Sequence, residues 1–181
     1  MIKEFKPTYP HFEKLKDQLL TICREQQLGQ EFVPANPSLA VHRDRQLAVQ
    51  TNGEIDLHSG VGSSRGKDAA WEKSFNQIHP IFKDTLVEDY INWLSVPVYR
   101  ARIMCAYAKS SYSIHKDLSP RLHLPLITNQ QAFFLFAEPS DTSLHHLPAD
   151  GKTFWVDTTK LHSFINGGTQ ERFHLVMIVE E

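Results

Sequence analysis

The sequence predicts a mainly β domain with N-terminal helices packed on the outside of a closed β core, as in a sandwich, jelly roll or barrel. Two observations predict this class. Up to about Ser95 the apolar residues recur mostly at helical spacing, whereas from Val98 onward short apolar segments alternate with turn residues. The 181 residues suit one domain, with 1–95 as helical support and a short hairpin and 96–181 as the β core that carries the site.

Three helices are predicted in the N-terminal half. The second runs from about Lys67 to Ile78, and the third runs from about Asp84 to Leu94 with Asp84 as a plausible N-cap. The first is amphipathic, and its apolar residues at helical spacing are Phe12, Leu15, Leu19, Leu20 and Cys23.

A β-hairpin is predicted between the first and second helices. Leu47–Thr51 and Glu54–Leu57 resemble two short strands, and the Asn52-Gly53 dipeptide between them is a strong hairpin signal. The following segment, Gly60–Lys67, has the glycines and lysine of a phosphate-binding loop at the wrong spacing, with Asp68 in place of the required hydroxyl residue. We interpret this segment as a mobile loop, with closure over a ligand as the alternative.

The second half predicts seven strands: Val98–Lys109, Tyr112–Lys116, Arg121–Thr128, Gln131–Ala137, Thr153–Val156, Leu161–Ile165 and Phe173–Val179. The polar segment Glu138–Asp150, which contains His145-His146, is predicted to be a loop. Along the last strand, alternation places Arg172 and His174 on the same face. Most other residues of the strand are apolar, so both of its faces are largely apolar. We therefore expect this strand to be covered on both sides, with the helices outside.

Composition excludes several classes of function. Nineteen basic and 21 acidic residues give a net charge of −2. The sequence contains no long block of like charge, so neither nucleic acid nor an anionic membrane is indicated as a partner. The longest apolar run is too short to span a bilayer, and the N-terminus lacks the apolar region of a secretory signal. With two isolated cysteines, we expect a cytoplasmic protein with a small-molecule partner, and the oligomeric state stays open.

The chain contains ten histidines, which is a large number for its length and indicates a metal site or an acid–base site. His115 and Asp117 form a His-x-Asp pair whose side chains share one face of an extended segment, and a second such pair begins at His42. Only the first pair is completed, by His162 47 residues later and by Arg172 ten residues after His162. This joint pattern is expected by chance on the order of 0.03 times in a chain of this composition.

These residue types suit one particular chemistry. Two imidazoles and one carboxylate form the facial triad typical of non-haem Fe(II), and they leave three coordination positions open. A 2-oxo acid can chelate two of them, and its distant carboxylate then needs a cation such as Arg172, whose guanidinium binds carboxylate through two parallel hydrogen bonds. The alternative is that Arg172 caps the turn at Asn166–Gly168 or pairs with Glu171 on the surface.

Four stretches, at 112–129, 154–157, 161–166 and 172–176, resemble the aspartyl/asparaginyl β-hydroxylase family of Fe(II)/2-oxoglutarate-dependent dioxygenases. The His-x-Asp form is similar to the bacterial branch that includes cis-proline hydroxylases. The resemblance implies a double-stranded β-helix, also called a jelly roll and similar to cupins. It also implies Fe(II), 2-oxoglutarate as cosubstrate, molecular oxygen, and hydroxylation of a substrate C–H bond.

The resemblance also implies roles for individual residues. His115, Asp117 and His162 match the metal-binding positions, and Arg172 matches the arginine that binds 2-oxoglutarate. Arg121 and His123 match an Arg-x-His element of the oxo-acid pocket. As substrate contacts we predict Arg102 and His174, with a salt bridge and a core histidine as their respective alternatives. The presence of Asp117 argues against a halogenase, which would need that ligand position vacated.

The sequence thus predicts a hydroxylase acting on a small substrate, such as the amino acid proline or an Asp/Asn-type side chain. Two alternatives stay open at this point. One is a cupin-like enzyme that uses the same triad with Zn(II) or Mn(II) and no redox chemistry. The other is a non-catalytic module that binds a small ligand on the same β core.

Overall fold

The structure, a computed structural model, describes residues 1–29, 45–62, 64–138 and 141–180. These residues contain three α-helices: α1 (Phe12–Glu25), α2 (Ala69–Lys73) and α3 (Val87–Leu94). They also contain twelve strands: β1 (Ile2–Lys6), β2 (Gln46–Ala48), β3 (Gln50–Thr51), β4 (Gln77–Ile78), β5 (Val98–Ala106), β6 (Ser110–Ser111), β7 (Arg121–Ile127), β8 (Ala132–Glu138), β9 (Asp141–His145), β10 (Thr153–Val156), β11 (His162–Asn166) and β12 (Arg172–Val179).

Two antiparallel sheets face each other. The six-stranded major sheet has the order β1-β10-β7-β12-β5-β2, and the four-stranded minor sheet has the order β6-β11-β8-β9. A separate two-stranded ribbon pairs β3 with β4. This is a jelly roll, or double-stranded β-helix, and it confirms the predicted fold class.

Two of the helices, α1 and α3, cover the outer face of the major sheet, as predicted, whereas Glu72 of α2 binds Arg100 and Arg121, which line the cavity between the sheets. Along β12, Phe173, Leu175 and Met177 alternate toward the helices, because successive side chains of a strand project to opposite faces. The outer core joins buried side chains of α1, α3, β5, β7 and β12, among them Phe12, Leu15, Leu19, Tyr90, Leu94, Ile103, Leu122 and Leu124. Arg172, His174 and Val176 are therefore left to face the minor sheet.

The predicted hairpin is wrong. β2 pairs with β5 at the edge of the major sheet, β3 pairs with β4, and Glu54–Leu57 forms no strand. A turn does occur at Gly53, which has φ +102° and whose N–H donates to Thr51 Oγ1. The chain returns from that turn with one backbone hydrogen bond, from Ala48 N to Leu57 O at 2.7 Å, but Glu54–Leu57 forms no ladder with β2.

Two helix boundaries differ from the prediction. The second helix ends at Lys73, because the backbone oxygen of Phe75 accepts a hydrogen bond from Arg100 N and Gln77–Ile78 enters the ribbon with β3. The third helix begins at Val87, and Asp84 is not its N-cap. Instead, the side chain of Gln18 accepts a hydrogen bond from the backbone N–H of Leu86 at 2.9 Å, ahead of the first helical turn.

The strands also differ in three places. β1, which the sequence did not predict, pairs with β10 at one edge of the major sheet. β9 lies within the segment predicted as a loop and pairs with β8 along five residue pairs. The strand predicted over Tyr112–Lys116 contains only a single bridge, between His115 and His162, and β6 lies just before it.

Candidate metal centre

A cavity of about 630 Å³ lies between the two sheets. Inward-facing side chains of β5, β7, β11 and β12 line it, together with the segment 112–118 and part of the loop at 62–66. Every site residue predicted from the sequence except His174 is among the lining residues, and His174 lies directly behind Arg172. The other His-x-Asp pair, which begins at His42, lies outside the described residues.

Backbone pairing brings the three predicted metal ligands together. His115 and His162 exchange two backbone hydrogen bonds of 2.9 Å, and Asp117 N donates to Thr158 O at 2.8 Å. These bonds hold the segment after β6 against the start of β11. One potential ligand atom from each of His115, Asp117 and His162 lies within 4.8 Å of the others. This spacing suits a single metal ion.

The two histidines are oriented for metal binding by backbone oxygens. His115 Nδ1 lies 2.7 Å from the carbonyl oxygen of Ser113, and His162 Nδ1 lies 2.9 Å from that of Lys160. A carbonyl oxygen only accepts, so each Nδ1 carries the hydrogen and each Nε2 keeps its lone pair. Burial lowers the pKa of His162, which favours the neutral form that binds metal.

A buried ion-pair network positions Asp117. Its Oδ2 lies 3.5 Å from Arg121 Nε, while Arg121 Nη2 donates to Glu72 Oε1 at 2.8 Å. Glu72 is fully buried and also accepts hydrogen bonds from Arg100 Nη1 and Ser119 Oγ, both at 2.8 Å. One carboxylate from α2 thus holds two arginines, and one of these arginines faces the carboxylate of Asp117.

The charges around Asp117 keep it ionised. Burial alone would raise the pKa of Asp117, but the positive charges of Arg121 and Arg102 outweigh this effect and hold the pKa below its usual value. An ionised carboxylate with one oxygen turned toward Arg121 leaves the other oxygen available to a cation. The donor set of two neutral imidazoles and one carboxylate therefore fits Fe(II).

Arg172 lies inside the protein. Its side chain is 3% exposed, its guanidinium carbon lies 3.6 Å from the ring centroid of Phe164, and Nη2 donates to His174 Nδ1. The turn at Asn166–Gly168 is capped by Asn166 itself, whose Oδ1 accepts from Gly168 N at 3.2 Å. The turn-capping and surface alternatives for Arg172 are therefore wrong. Burial lowers the pKa of this guanidinium to about 9.

Two buried histidines lie beside Arg172. His123 Nδ1 and His174 Nδ1 are 3.4 Å apart, and burial followed by the charge of Arg172 lowers the pKa of each well below its usual value. Both rings are therefore neutral at physiological pH. His123 faces the cavity, whereas His174 contacts Arg172 from behind.

Arg102 is buried against the loop that follows the predicted hairpin. Its Nη1 lies 3.3 Å from the carbonyl oxygen of Gly62 and 3.4 Å from Gln46 Oε1, and its Nε has no hydrogen-bond partner. Within the described part of the chain, Arg102 forms no ion pair, so the salt-bridge alternative is not seen there.

Sequence reasoning missed Glu72 and Arg100. Glu72 lies on the second predicted helix, where a glutamate is ordinarily solvent-exposed and gives no indication of a functional site. Arg100 has φ +51°, and its Nε and Nη2 donate to the carbonyl oxygens of Gly60 and Gly62 at 2.8 and 2.9 Å. No local pattern shows that these two residues meet Arg121.

The sequence model of the aspartyl/asparaginyl β-hydroxylase family matches residues 80–181, which is more than half of the chain. The chain belongs to this family. It is therefore a hydroxylase, and the family implies iron and 2-oxoglutarate as its metal and cosubstrate. The match begins after α2, so Glu72 lies outside it. No curated protein matches the chain.

Solved structures show the same fold at low sequence identity. A prolyl hydroxylase from Trichoplax adhaerens, in complex with a hypoxia-inducible-factor peptide, is 10% identical with a TM-score of 0.54, covering 99% of this chain and 82% of that one. A prolyl-4-hydroxylase from Pseudomonas putida is 12% identical with a TM-score of 0.50, covering 100% and 91%. None of the described helices combines the length and apolar composition needed to cross a bilayer.

Proposed function

We propose that this member of the aspartyl/asparaginyl β-hydroxylase family binds Fe(II) through His115, Asp117 and His162 and binds 2-oxoglutarate through Arg172, in order to hydroxylate a small substrate. The observation that carries the proposal is the shared cavity. Three ligand atoms converge within 4.8 Å, and a buried arginine lines the same space. When bound, iron and 2-oxoglutarate supply the oxidation, in which dioxygen provides one oxygen to succinate and one to the substrate while carbon dioxide leaves.

Arg172 binds the distant carboxylate of 2-oxoglutarate in this proposal. Its guanidinium is stacked on Phe164 and held by His174, so few of its rotamers remain accessible. A buried guanidinium without a counter-ion is costly, and a carboxylate that forms two parallel hydrogen bonds offsets this cost. His174 acts by positioning Arg172, and the predicted direct contact of His174 with the substrate has no support from its place behind that side chain.

Arg121 and His123 divide the role expected for the Arg-x-His element. The guanidinium of Arg121 is engaged by Glu72 and faces Asp117, so it orients the metal-binding carboxylate. His123 faces the cavity, and its buried Nε2 has no partner within the described chain, which supports a contact with the oxo acid. On another wall, Arg102 has no ion-pair partner among the described residues, which supports the proposed contact of its guanidinium with the substrate.

The test is an anaerobic titration of the protein with Fe(II) and then 2-oxoglutarate, followed by visible absorption. The wild-type protein should develop a weak charge-transfer band. His162→Ala should abolish the band, and Arg172→Ala should weaken binding of the oxo acid more than binding of the metal. His146→Ala is the matched control, because His146 bonds to Ala132 O and does not line the cavity. Equal loss in all three variants, or no band in the wild type, would contradict the proposal.

A further inference from the structure

The lining of the cavity is strongly cationic. Asp117 is the single carboxylate among the described lining residues, and it is a proposed metal ligand. The cationic lining residues are Arg45, Arg65, Arg100, Arg102, Lys116, Arg121 and Arg172. Such a lining favours anions and disfavours cations, and the low dielectric of a buried site strengthens both effects.

The proposed cosubstrate and metal account for only part of this charge. Asp117 and the two carboxylates of 2-oxoglutarate offset the charges of Fe(II) and Arg172. Glu72 offsets one of the two charges of Arg100 and Arg121, which it binds together. An excess of positive charge therefore remains on the wall formed by β5 and β7.

Arg102 is the cation on that wall with the fewest partners. It is 6% exposed, lies on β5 and lines the cavity. Within the described residues, its hydrogen bonds are long contacts to neutral oxygens, and its Nε is unpartnered. Burial and the neighbouring charges of Arg100 and Arg121 lower its pKa well below the usual value, as expected for a guanidinium that lacks an anion. A carboxylate bound there would remove this penalty.

The mouth of the cavity differs from its interior. Ile114 and Leu118 both line the cavity, and they are 54% and 47% exposed. Large apolar side chains exposed at the rim of a polar site favour a ligand that has an apolar part there. The ligand that fits both features carries an acidic group at one end and an apolar group at the other.

Among the lining residues that the structure describes, a free α-ammonium group has no available acidic partner. Asp117 is committed to the metal, and Glu72 is committed to two arginines and Ser119. The faces of Phe134 and Phe164, which could hold a cation, lie beneath Arg172 at 5.6 and 3.6 Å. A free amino acid such as proline would thus place its ammonium among guanidinium groups.

We infer that the substrate is a carboxylic acid without a free amino group, such as an N-acylated amino acid. In this inference, which rests on the proposed function, Arg102 binds the carboxylate and Ile114 and Leu118 contact the apolar part. This narrows the substrate class beyond the small amino acid that the sequence predicts.

Matched trios of compounds test this inference. For proline, leucine and aspartate, the trio is the N-acetyl acid, the free amino acid and the N-acetyl amide. The α-carboxylate is present in the first two compounds, the α-ammonium replaces the acetamide in the second, and the third has neither charge, while the side-chain carboxylate of aspartate is common to its trio. Each is titrated by calorimetry into the protein loaded anaerobically with Fe(II) and 2-oxoglutarate. The N-acetyl acid of at least one trio should bind about 10-fold or more tightly than both its amide and its free amino acid, as expected for a hydrogen-bonded ion pair.

Arg102→Gln should remove this preference. The affinity for the N-acetyl acid should fall by about 10- to 100-fold, and the affinity for the N-acetyl amide should change little. Its affinity for 2-oxoglutarate and its melting temperature should stay close to wild type, which separates loss of substrate binding from loss of the fold. Lys83→Gln is the control, because it removes an equal charge from an exposed side chain that does not line the cavity. We expect less than about a threefold change there, since exposed charges are screened by water and salt.

The outcomes separate the two proposals. Failure of 2-oxoglutarate to bind the Fe(II)-loaded protein would contradict the proposed function. Normal binding of 2-oxoglutarate would leave that function intact, and the substrate inference would then be overturned by any of three results. These are a free amino acid that binds best, the absence of any carboxylate-dependent binding in the trios, and equal weakening by Arg102→Gln and Lys83→Gln.

Discussion

Arg121 connects the carboxylate of Asp117, the proposed metal ligand, to the interior of the protein. One edge of its guanidinium faces Asp117, and the other binds Glu72, which also binds Arg100. All three partners of this Arg–Glu–Arg cluster are almost fully buried. A buried carboxylate that serves two cations is costly to remove, because both guanidinium groups then lose their counter-ion.

Glu72→Gln should therefore lower the free energy of unfolding by about 3–5 kcal/mol. The measurement is chemical denaturation followed by circular dichroism. Ser119→Ala is the matched control, since it removes only the neutral hydroxyl that donates to Glu72 and should cost about 1 kcal/mol. Equal stability of Glu72→Gln and the wild type would show that the ion-pair network does not stabilise the fold.

A substitution at Arg172 shows whether binding of 2-oxoglutarate requires the shape of the guanidinium group as well as its charge. Arg172→Lys keeps a positive charge but loses the planar group that stacks on Phe164 and donates two parallel hydrogen bonds. We expect affinity for 2-oxoglutarate to fall by about tenfold or more, with metal binding retained, in the titration described above. If the lysine variant binds 2-oxoglutarate as well as the wild type, the cavity needs only a point charge at this position.

Among the elements, α1 supports the site from a distance. Leu15 and Leu19 are completely buried against the outer face of the major sheet, while Lys14 on the same helix is exposed. The inner face of β7 and β12 carries the site residues, so packing on the outer face sets the position of those strands without touching the ligand.

Leu19→Ala should lower the free energy of unfolding by about 2–5 kcal/mol, through lost burial and the cavity left behind. Lys14→Ala, on the same helix, should change it by less than about 0.5 kcal/mol. Urea denaturation of both variants measures the difference. Similar small effects for the two substitutions would mean that α1 is not packed on the sheet as the structure shows.

For the whole molecule, the two cysteines report on the integrity of the outer core. Cys23 on α1 and Cys105 on β5 are buried in the same core cluster and are free thiols. Burial raises the pKa of Cys23 to about 12 and also raises the pKa of Cys105. Neither thiol is then ionised in the folded protein at pH 8, and the thiolate is the reactive form.

A thiol reagent at pH 8 should therefore label almost no cysteine in the native protein and both cysteines after denaturation.

The two thiols also make the stability of the fold depend on pH. Because their pKa values in the folded protein lie above those in the unfolded protein, the thiols contribute stability that is fully present below the unfolded pKa of about 8.5. This contribution is lost progressively as the pH rises toward the folded values. Rapid labelling of the native protein, or stability that rises from pH 8 to 10 in a Cys-dependent manner, would contradict the burial of these residues.

Local periodicity predicted much of this architecture. Alternation along β12 separated Phe173 and Leu175 from Arg172 and His174, and the structure places the first pair under the helices and the second toward the cavity. The spacing of His115, Asp117 and His162 indicated one site, and the structure brings their ligand atoms together. Their roles as metal ligands stay predictions that the titration tests.

What the sequence determined by itself was the type of each main element, the face on which each side chain projects and the identity of the candidate ligands. These depend on the repeat of the backbone and on side-chain chemistry, both of which are local. Only the tertiary structure decided that β2 joins β5, that β9 pairs with β8, and that Glu72 meets Arg100 and Arg121. Short strands and buried charges choose partners far along the chain, and closure of the two sheets determines which partners lie within reach.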